Sequence, residues 1–328
     1  MSKEPVKTWS TPVTVEGKRN IPCTICGGTL FKPSLSCEGF SYVRCSSCGL
    51  VQMNPQPMPE EVKKRYNAGF DTRNAQALQK ASPGFGEDYL AYELANEDAF
   101  LKLQLLALED SGFTSIEREI FDRAHSLAHH SDESSSSFFA KPKVLDIGCA
   151  TGSLLALLRE RGWETTGVEI SRPQAEYGRL KRNLDIFDLP LEENNFRGNT
   201  FDALMASHLI EHLNDPAQMI REARRILVPG GYLFITTPNI LSFQAWFFGS
   251  RWRSAIFDHL YLFSARTLSR LLREQGFTVE KIKTWGGLAA GTAPGPLKFL
   301  FDRAAKKLGF GDVMVIRAKK NGIAGRGN

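Results

Sequence analysis

The chain has 328 residues, 42% of them hydrophobic and 23% charged, with a formal net charge of +5. That is an ordinary globular composition, with room for one large α/β domain and a small accessory module. The charge alone calls for neither nucleic acid nor membrane, and no apolar run reaches the ~18 residues of a membrane span.

Residues 1–20 open with MSKEPVKTWSTPV, which is polar and lacks a signal peptide's apolar core, so they read as a flexible tail on a cytoplasmic protein. The chain has 6 cysteines, and CTIC at 23–26 with CSSC at 45–48 gives two CxxC pairs separated by 18 residues. In a cytosolic chain this spacing favours metal over disulfides. Two CxxC knuckles can enclose one tetrahedral zinc, and a closed four-thiolate site leaves no open position for chemistry. Cys23, Cys26, Cys45 and Cys48 are therefore the expected ligands of a structural zinc in a module spanning 21–58. Cys37 is left as a free thiol.

Residues 59–140 read as a helical connector. NPQPMPEEV leads into it, and from Glu60 to Asp110 apolar residues recur at i, i+3 and i+4. AHSLAHHSDESSSS then breaks the pattern, which predicts a mobile Ser-rich loop carrying His129 and His130 as solvated side chains.

Strand and helix patterns alternate from Lys141 onward: KVLDIGC, SLLALLRERG, TTGVEIS, RPQAEYGRLKR, NLDIF, FDALMAS, PAQMIREARRIL and GYLFITTP. SARTLSRLLREQG, FTVEKIKTW and DVMVIRAKK complete the series. This predicts an α/β domain over 141–328: a doubly wound, mostly parallel, seven-stranded sheet covered on both faces. In such a sheet the ligand sits beyond the carboxyl ends of the strands, at the point where strand order reverses. The loop after the first strand reads Asp146-x-Gly148-Cys149-Ala150-x-Gly152, not the GxGxxG of a dinucleotide site. The second strand closes on Glu169-Ile170. Cys149 has no base nearby in sequence and reads as a small apolar liner.

This run resembles the first motif of the Rossmann-like S-adenosylmethionine (SAM) methyltransferases, and the likeness extends over most of 141–286. The resemblance implies that small loop residues pass against the methionine part of SAM and that Glu169 accepts both ribose hydroxyls. LDIFDLPLEE supplies the loop beside the adenine, with Leu189, Leu191 and Glu192 as candidates, and Ser207 ends the fourth strand. Ala150 stands where the family often has Gly. Gly230 and Gly231 make the turn before the fifth strand.

HLIEH at 208–212 matches the HxxEH of one zinc-protease class, but that motif needs a helix. Here it follows a strand and precedes Asp215-Pro216, a helix start, so a strand-to-helix turn at the active-site rim is expected. The resemblance offers other roles. Some quinone-biosynthesis O-methyltransferases hold a divalent cation on an ExxEH segment at this place, where His208 now replaces the first acid. Alternatively, His208 or His212 acts as general base on the acceptor, or His212 simply holds the turn. Residues 239–263 form an aromatic-rich insertion expected to cover the acceptor, and peripheral membrane contact is its second reading. His259, in DHLYLFS, is the third acceptor-side candidate. PLKFLFDRAAKKLGF reads as a packed amphipathic helix, basic on one face.

The run RCSSCGLVQMNPQP resembles the N-terminal zinc part of bacterial sugar methyltransferases, without their large C-terminal domain. The expected function is thus SAM-dependent methyl transfer, with O-methylation favoured, to a sugar, glycan precursor, lipid-linked or quinone-like acceptor. Two alternatives stand beside it: an RNA methyltransferase using the zinc module for RNA, or a SAM-binding protein without catalysis. Scattered Lys and Arg and the lack of a basic-aromatic stripe argue against nucleic acid.

Overall fold

The computed structural model describes residues 7–8, 14–15, 17–62, 87–128, 141–288 and 295–322. Most of the expected N-terminal tail, residues 63–86 of the connector, and the Ser-rich stretch with His129 and His130 lie outside them.

The cysteine segment forms short strands β1 (Lys7–Thr8), β2 (Thr14–Val15), β3 (Lys18–Arg19), β4 (Leu30–Cys37), β5 (Phe40–Cys45), β6 (Val51–Met53) and β7 (Gln56–Pro57). β4 and β5 are an antiparallel hairpin closed by Glu38-Gly39, with Gly39 at φ +81°, a left-handed conformation that glycine adopts without strain. The connector supplies helices α1 (Glu87–Ala95), α2 (Glu97–Ser111) and α3 (Phe113–Ala128). Gly112, at φ +80°, caps α2 and turns the chain into α3. The loop expected from Ala124 begins later, because residues 124–128 continue α3. There Ser126 satisfies its hydroxyl within the helix by donating to the Asp122 carbonyl at 2.9 Å.

The α/β region follows as β8 (Lys143–Ile147), α4 (Ser153–Glu160), β9 (Glu164–Val168), α5 (Arg172–Arg182), β10 (Asp185–Phe187), β11 (Phe201–Ser207), α6 (Pro216–Ile226) and β12 (Leu227–Pro238). α7 (Phe243–Phe248), β13 (Tyr261–Leu262), α8 (Ala265–Glu274), β14 (Phe277–Trp285), α9 (Gly295–Leu308) and β15 (Val313–Lys320) complete it. The main sheet has seven strands in the order β10-β9-β8-β11-β12-β15-β14. β8 to β12 pair in parallel, and β15 runs antiparallel between β12 and β14. This is the doubly wound sheet read from the alternation. Strand order reverses between β8 and β11, so their carboxyl ends border the natural binding crevice. The expected Gly230-Gly231 turn lies inside β12 as an irregularity, where pairing jumps from Phe201↔Leu227 to Ala203↔Tyr232.

Alternate residues of each central strand feed opposite cores. Val144, Ala203, Met205 and Phe234 pack with Phe113, Ile116 and Ile120 of α3. Leu145, Leu204, Ile235 and Ile316 pack with α6 and α8 residues, and this core runs on into Phe31, Tyr42, Leu50 and Met53 of the cysteine segment. The segment is therefore fused to the α/β region. β13, from within the aromatic insertion, pairs antiparallel with β6, placing Tyr261 opposite Gln52 and Leu262 opposite Val51.

Candidate active site

The loop after β8 is held from both sides. The backbone N–H groups of Gly148 and Cys149 donate to the Val168 carbonyl at 2.7 and 3.1 Å. Glu169 follows β9, and its carboxylate accepts from Ala150 N at 3.0 Å and Ser171 N at 2.8 Å. It thereby pins the loop while each oxygen keeps a second lone pair for a ligand. Gly148, Ala150 and Gly152 all adopt positive φ, at +74°, +52° and +79°. A Cβ on Gly152 would sit 2.4 Å from the Leu184 side chain, so this glycine serves packing against the segment leading into β10. The Cys149 side chain packs with Leu155, Ala175, Leu184 and Ile186, which leaves its main chain on the ligand side. Burial pushes that thiol well up, so it stays protonated.

Burial raises the Asp146 carboxyl to about 8, with the neighbouring Glu169 adding to the effect. Burial likewise raises Glu169 to about 7, against the opposing pull of the Ser171 and Ala150 N–H groups. Asp146 Oδ2 is buried without a hydrogen-bond partner. A third acid, Glu93 of α1, was not singled out by the sequence. Its Oε1 accepts from Thr151 N and Oγ1, both at 3.0 Å, and its Oε2 is buried and unpartnered. No local pattern marks Glu93, because it meets Thr151 across 58 residues. Three acids with unused lone pairs around one loop form a set of acceptors suited to a cationic, hydroxyl-bearing ligand. Ile170 is half-buried beside Glu169, Leu191 is buried in the main core, Glu192 is half-buried with a raised carboxyl, and Leu189 is exposed.

The adjoining rim comes from the turn after β11. His208 follows Ser207 at φ +51°, and its N–H donates to the Thr236 carbonyl at 2.8 Å. HLIEH is not a helix face: Ile210–His212 is a single 3-10 turn, as the strand-to-helix context predicted. Its Leu209 would lie 3.4 Å from a Cβ added to Gly148, so the rim and the loop touch. Glu211 is fully buried. Its Oε2 accepts from Thr237 Oγ1 at 3.0 Å, and its Oε1 lies 3.3 Å from His208 Nδ1. Burial would raise this carboxyl, but the contact with His208 outweighs it and holds Glu211 at about 2. A buried carboxylate thus stands behind an exposed imidazole.

The other two histidines sit differently. His212 Nδ1 is 3.0 Å from the Asp258 carbonyl, and His259 Nδ1 is 2.8 Å from the Ser254 carbonyl. Carbonyls only accept, so both Nδ1 atoms carry the proton and both Nε2 atoms keep a lone pair. The rings meet edge-on, 4.6 Å between centroids. His259 is buried, and burial lowers its imidazole to about 3, which makes it a weak base. Glu211, His212 and His259 bring ligand atoms within 4.8 Å of one another, a two-imidazole, one-carboxylate set that excludes His208. Such donors suit a borderline transition metal better than Mg²⁺.

At the far side of the insertion, Cys23, Cys26, Cys45 and Cys48 also bring their sulfurs within 4.8 Å. Sγ separations of 3.3 Å for Cys23–Cys48 and 3.5 Å for Cys26–Cys45 lie near the edge, about 3.8 Å, of a tetrahedron with 2.3 Å bonds. The two knuckles match. Gly27 N donates to the Cys23 carbonyl at 2.8 Å and Gly49 N to the Cys45 carbonyl at 3.0 Å, both glycines at positive φ. Cys37 lies apart, near the Ser250 and Ala255 carbonyls. The Tyr42 hydroxyl, from β5, is 2.7 Å from the carbonyls of Ile256 and His259, tying the cysteine segment to the rim.

Residues 113–282 match a family model described as "Methyltransferase domain". The ubiquinone biosynthesis O-methyltransferase of Acinetobacter baumannii (strain AYE) is 29% identical over 107 residues, 30% of this chain and 45% of that protein. The enzyme of that name from Pseudomonas aeruginosa (strain LESB58) is 33% identical over 107 residues, covering 30% and 46%. The chain spans about half the length of the curated relatives it matches. Among solved structures, a SAM-dependent methyltransferase from Thermotoga maritima, titled a possible histamine N-methyltransferase, is 24% identical with a TM-score of 0.42. The match covers 62% of this chain and 95% of that one.

Proposed function

Because this chain belongs to the methyltransferase-domain family, we propose that it transfers a methyl group from SAM to an oxygen of a small-molecule acceptor. The observation that supports this reading most is the contact of two unlike half-sites, the acid-lined loop after β8 and the His208–Glu211 pair after β11. When bound, SAM supplies an electrophilic methyl group on a cationic sulfonium. Glu169 would accept its ribose hydroxyls, and Asp146 and Glu93 would supply acceptors for a cationic ligand. Gly148, Ala150 and Gly152 bring the loop backbone against it. His208 directs Nδ1–H at Glu211 and offers Nε2 to the acceptor hydroxyl. As the acceptor oxygen bonds to the methyl carbon, the methyl–sulfur bond would break and release the neutral thioether S-adenosylhomocysteine, while His208 would take the hydroxyl proton and Glu211 would stabilise the resulting imidazolium. This is the orienting-carboxylate logic of hydrolytic triads. His212 and His259 hold the rim through their carbonyl contacts. Cys23, Cys26, Cys45 and Cys48 hold a structural zinc that keeps β5 and β6 rigid beneath that rim.

Methyl-donor assays with labelled SAM over a panel of hydroxylated metabolites test the reading. Transfer to an oxygen that vanishes in His208→Ala, with SAM binding intact, is the expected result. Binding of SAM with no transfer to any hydroxyl, amine or RNA would overturn it in favour of a SAM-binding protein. Metal analysis should give one zinc per chain, retained in Cys37→Ser and lost in Cys45→Ser.

A further inference from the structure

The aromatic insertion and the C-terminal helix leave a feature that the catalytic reading does not use. α7 and α9 come together through Phe243 and Phe301, whose ring centroids are 5.0 Å apart. Around this contact, six large apolar side chains face solvent: Trp246 at 77%, Phe247 at 63%, Leu297 at 55%, Phe299 at 68%, Leu300 at 64% and Leu308 at 71% exposure. Phe247 stacks on Phe243 and Trp246 meets the same ring at a tilt of 43°, so the exposed residues of the two helices flank one shared anchor. Isolated exposed leucines need no explanation, but a cluster of this kind marks an interaction surface.

The charge around the cluster identifies the partner. Residues 241–256 and 295–311 together hold six Lys and Arg against a single acid, Asp302. Asp302 is itself paired with Lys298. Lys306 pairs with Asp110 and Arg253 with the buried Asp312, which leaves Arg251, Arg303 and Lys307 without an ion pair among the described residues. Arg251, Arg303 and Lys307 are exposed, and on α9 the last two interleave with Phe299, Leu300 and Leu308. Aromatic and aliphatic side chains interleaved with Lys and Arg suit the headgroup–acyl boundary of an anionic bilayer. Tryptophan favours that boundary for its amphipathic ring. No described helix is long and apolar enough to cross a membrane, so contact here means lying on the surface.

We propose that the α7–α9 face docks this protein onto bilayers containing anionic lipid. α7 follows β12, whose Thr237 holds Glu211, so the docked face lies at the rim end of the sheet. In so far as the methyl-transfer reading holds, the site would then meet amphiphilic acceptors whose oxygen lies at the headgroup level. The docking itself does not rest on that reading.

The test uses the full chain and vesicles, with no acceptor and no SAM. Flotation with phosphatidylcholine vesicles is compared with phosphatidylcholine mixed with phosphatidylglycerol. The expected result is binding to the mixed vesicles at least about tenfold tighter, since each surface cation contributes ~1 kcal/mol near an anionic bilayer. The double variant Trp246→Ala/Phe299→Ala should bind neither vesicle. Arg251→Gln/Arg303→Gln/Lys307→Gln should lose the preference for anionic lipid. These side chains are exposed, so unchanged melting temperatures are expected and serve as the folding control. A blue shift of tryptophan emission on vesicles, absent in Trp246→Phe, is the second readout. Absence of vesicle binding, or undiminished binding in the double variant, overturns the proposal. So does self-association that the double variant abolishes in the absence of vesicle binding, because the face would then belong to a second copy.

Discussion

The two sides of the crevice are built on different length scales. The side proposed to hold the cofactor is almost contiguous: Asp146, the loop 148–152 and Glu169 come from two neighbouring strands and the connection between them. The rim side is assembled from afar. His208 and Glu211 come from the β11 turn, Thr237 from β12, the anchoring carbonyls of Ser254 and Asp258 from the insertion, and Tyr42 from the cysteine segment. A locally closed site survives distant damage, whereas a site pinned across the chain inherits the stability of every pin.

Zinc removal should separate the two sides most sharply. Apparent zinc-binding energies of small cysteine modules run ~10–16 kcal/mol. Cys45→Ser or strong chelation should therefore melt β4 to β6, release Tyr42 and β13, and abolish turnover. SAM affinity, measured by calorimetry on the protein that remains folded, should persist. Joint loss of SAM binding and turnover would break the comparison, since it would make the cofactor side depend on the cysteine segment as well.

His208→Ala isolates the rim without unfolding it. Removing a general base costs ~10²–10⁴-fold in rate, or about 3–5 kcal/mol of barrier. Turnover should fall by that factor with melting temperature and SAM affinity unchanged. Near-normal turnover would move the base role elsewhere. The reciprocal variant, Glu169→Ala, should weaken SAM binding by ~1–3 kcal/mol, the scale of lost hydrogen bonds to a charged group.

pH offers a subtler test of the acid-lined loop. Asp146 and Glu169 are raised in the fold to about 8 and 7, whereas an unfolded chain releases these protons near pH ~4. Between those limits the folded state holds more protons, so the ligand-free protein should lose stability as pH rises from about 5 to 8. Saturating SAM, which brings compensating positive charge, should flatten that slope in thermal melts. A ligand-free stability that is level or rising over this range would contradict the assigned burial. The smallest effect is expected from Ala150→Gly. A non-glycine residue in the left-handed region costs ~1–2 kcal/mol, partly offset by glycine's greater unfolded entropy. Stability should rise by at most ~1 kcal/mol.

The acid-lined loop was legible in the sequence because its information is local. Strand–helix alternation encodes a parallel sheet, and the spacing of Asp146, Gly148 and Glu169 places them around one loop at the carboxyl ends of β8 and β9. The cysteine cluster was legible for the same reason, as two short knuckles related by spacing. Tertiary structure decided the rest. The sequence left His208, His212 and His259 all as candidates, with a turn-holding role also open for His212, and their surroundings separate them: His208 is exposed with a buried carboxylate behind it, and His259 is buried and held by a carbonyl. Glu93 was invisible because its partner Thr151 is brought to it by helix packing. The fusion of the cysteine segment to the rim through β6 and β13 is a pairing between residues some 210 apart, which no local period records. Local patterns determine which elements form and what each can bind, while burial and long-range pairing determine which groups keep their charge and which meet.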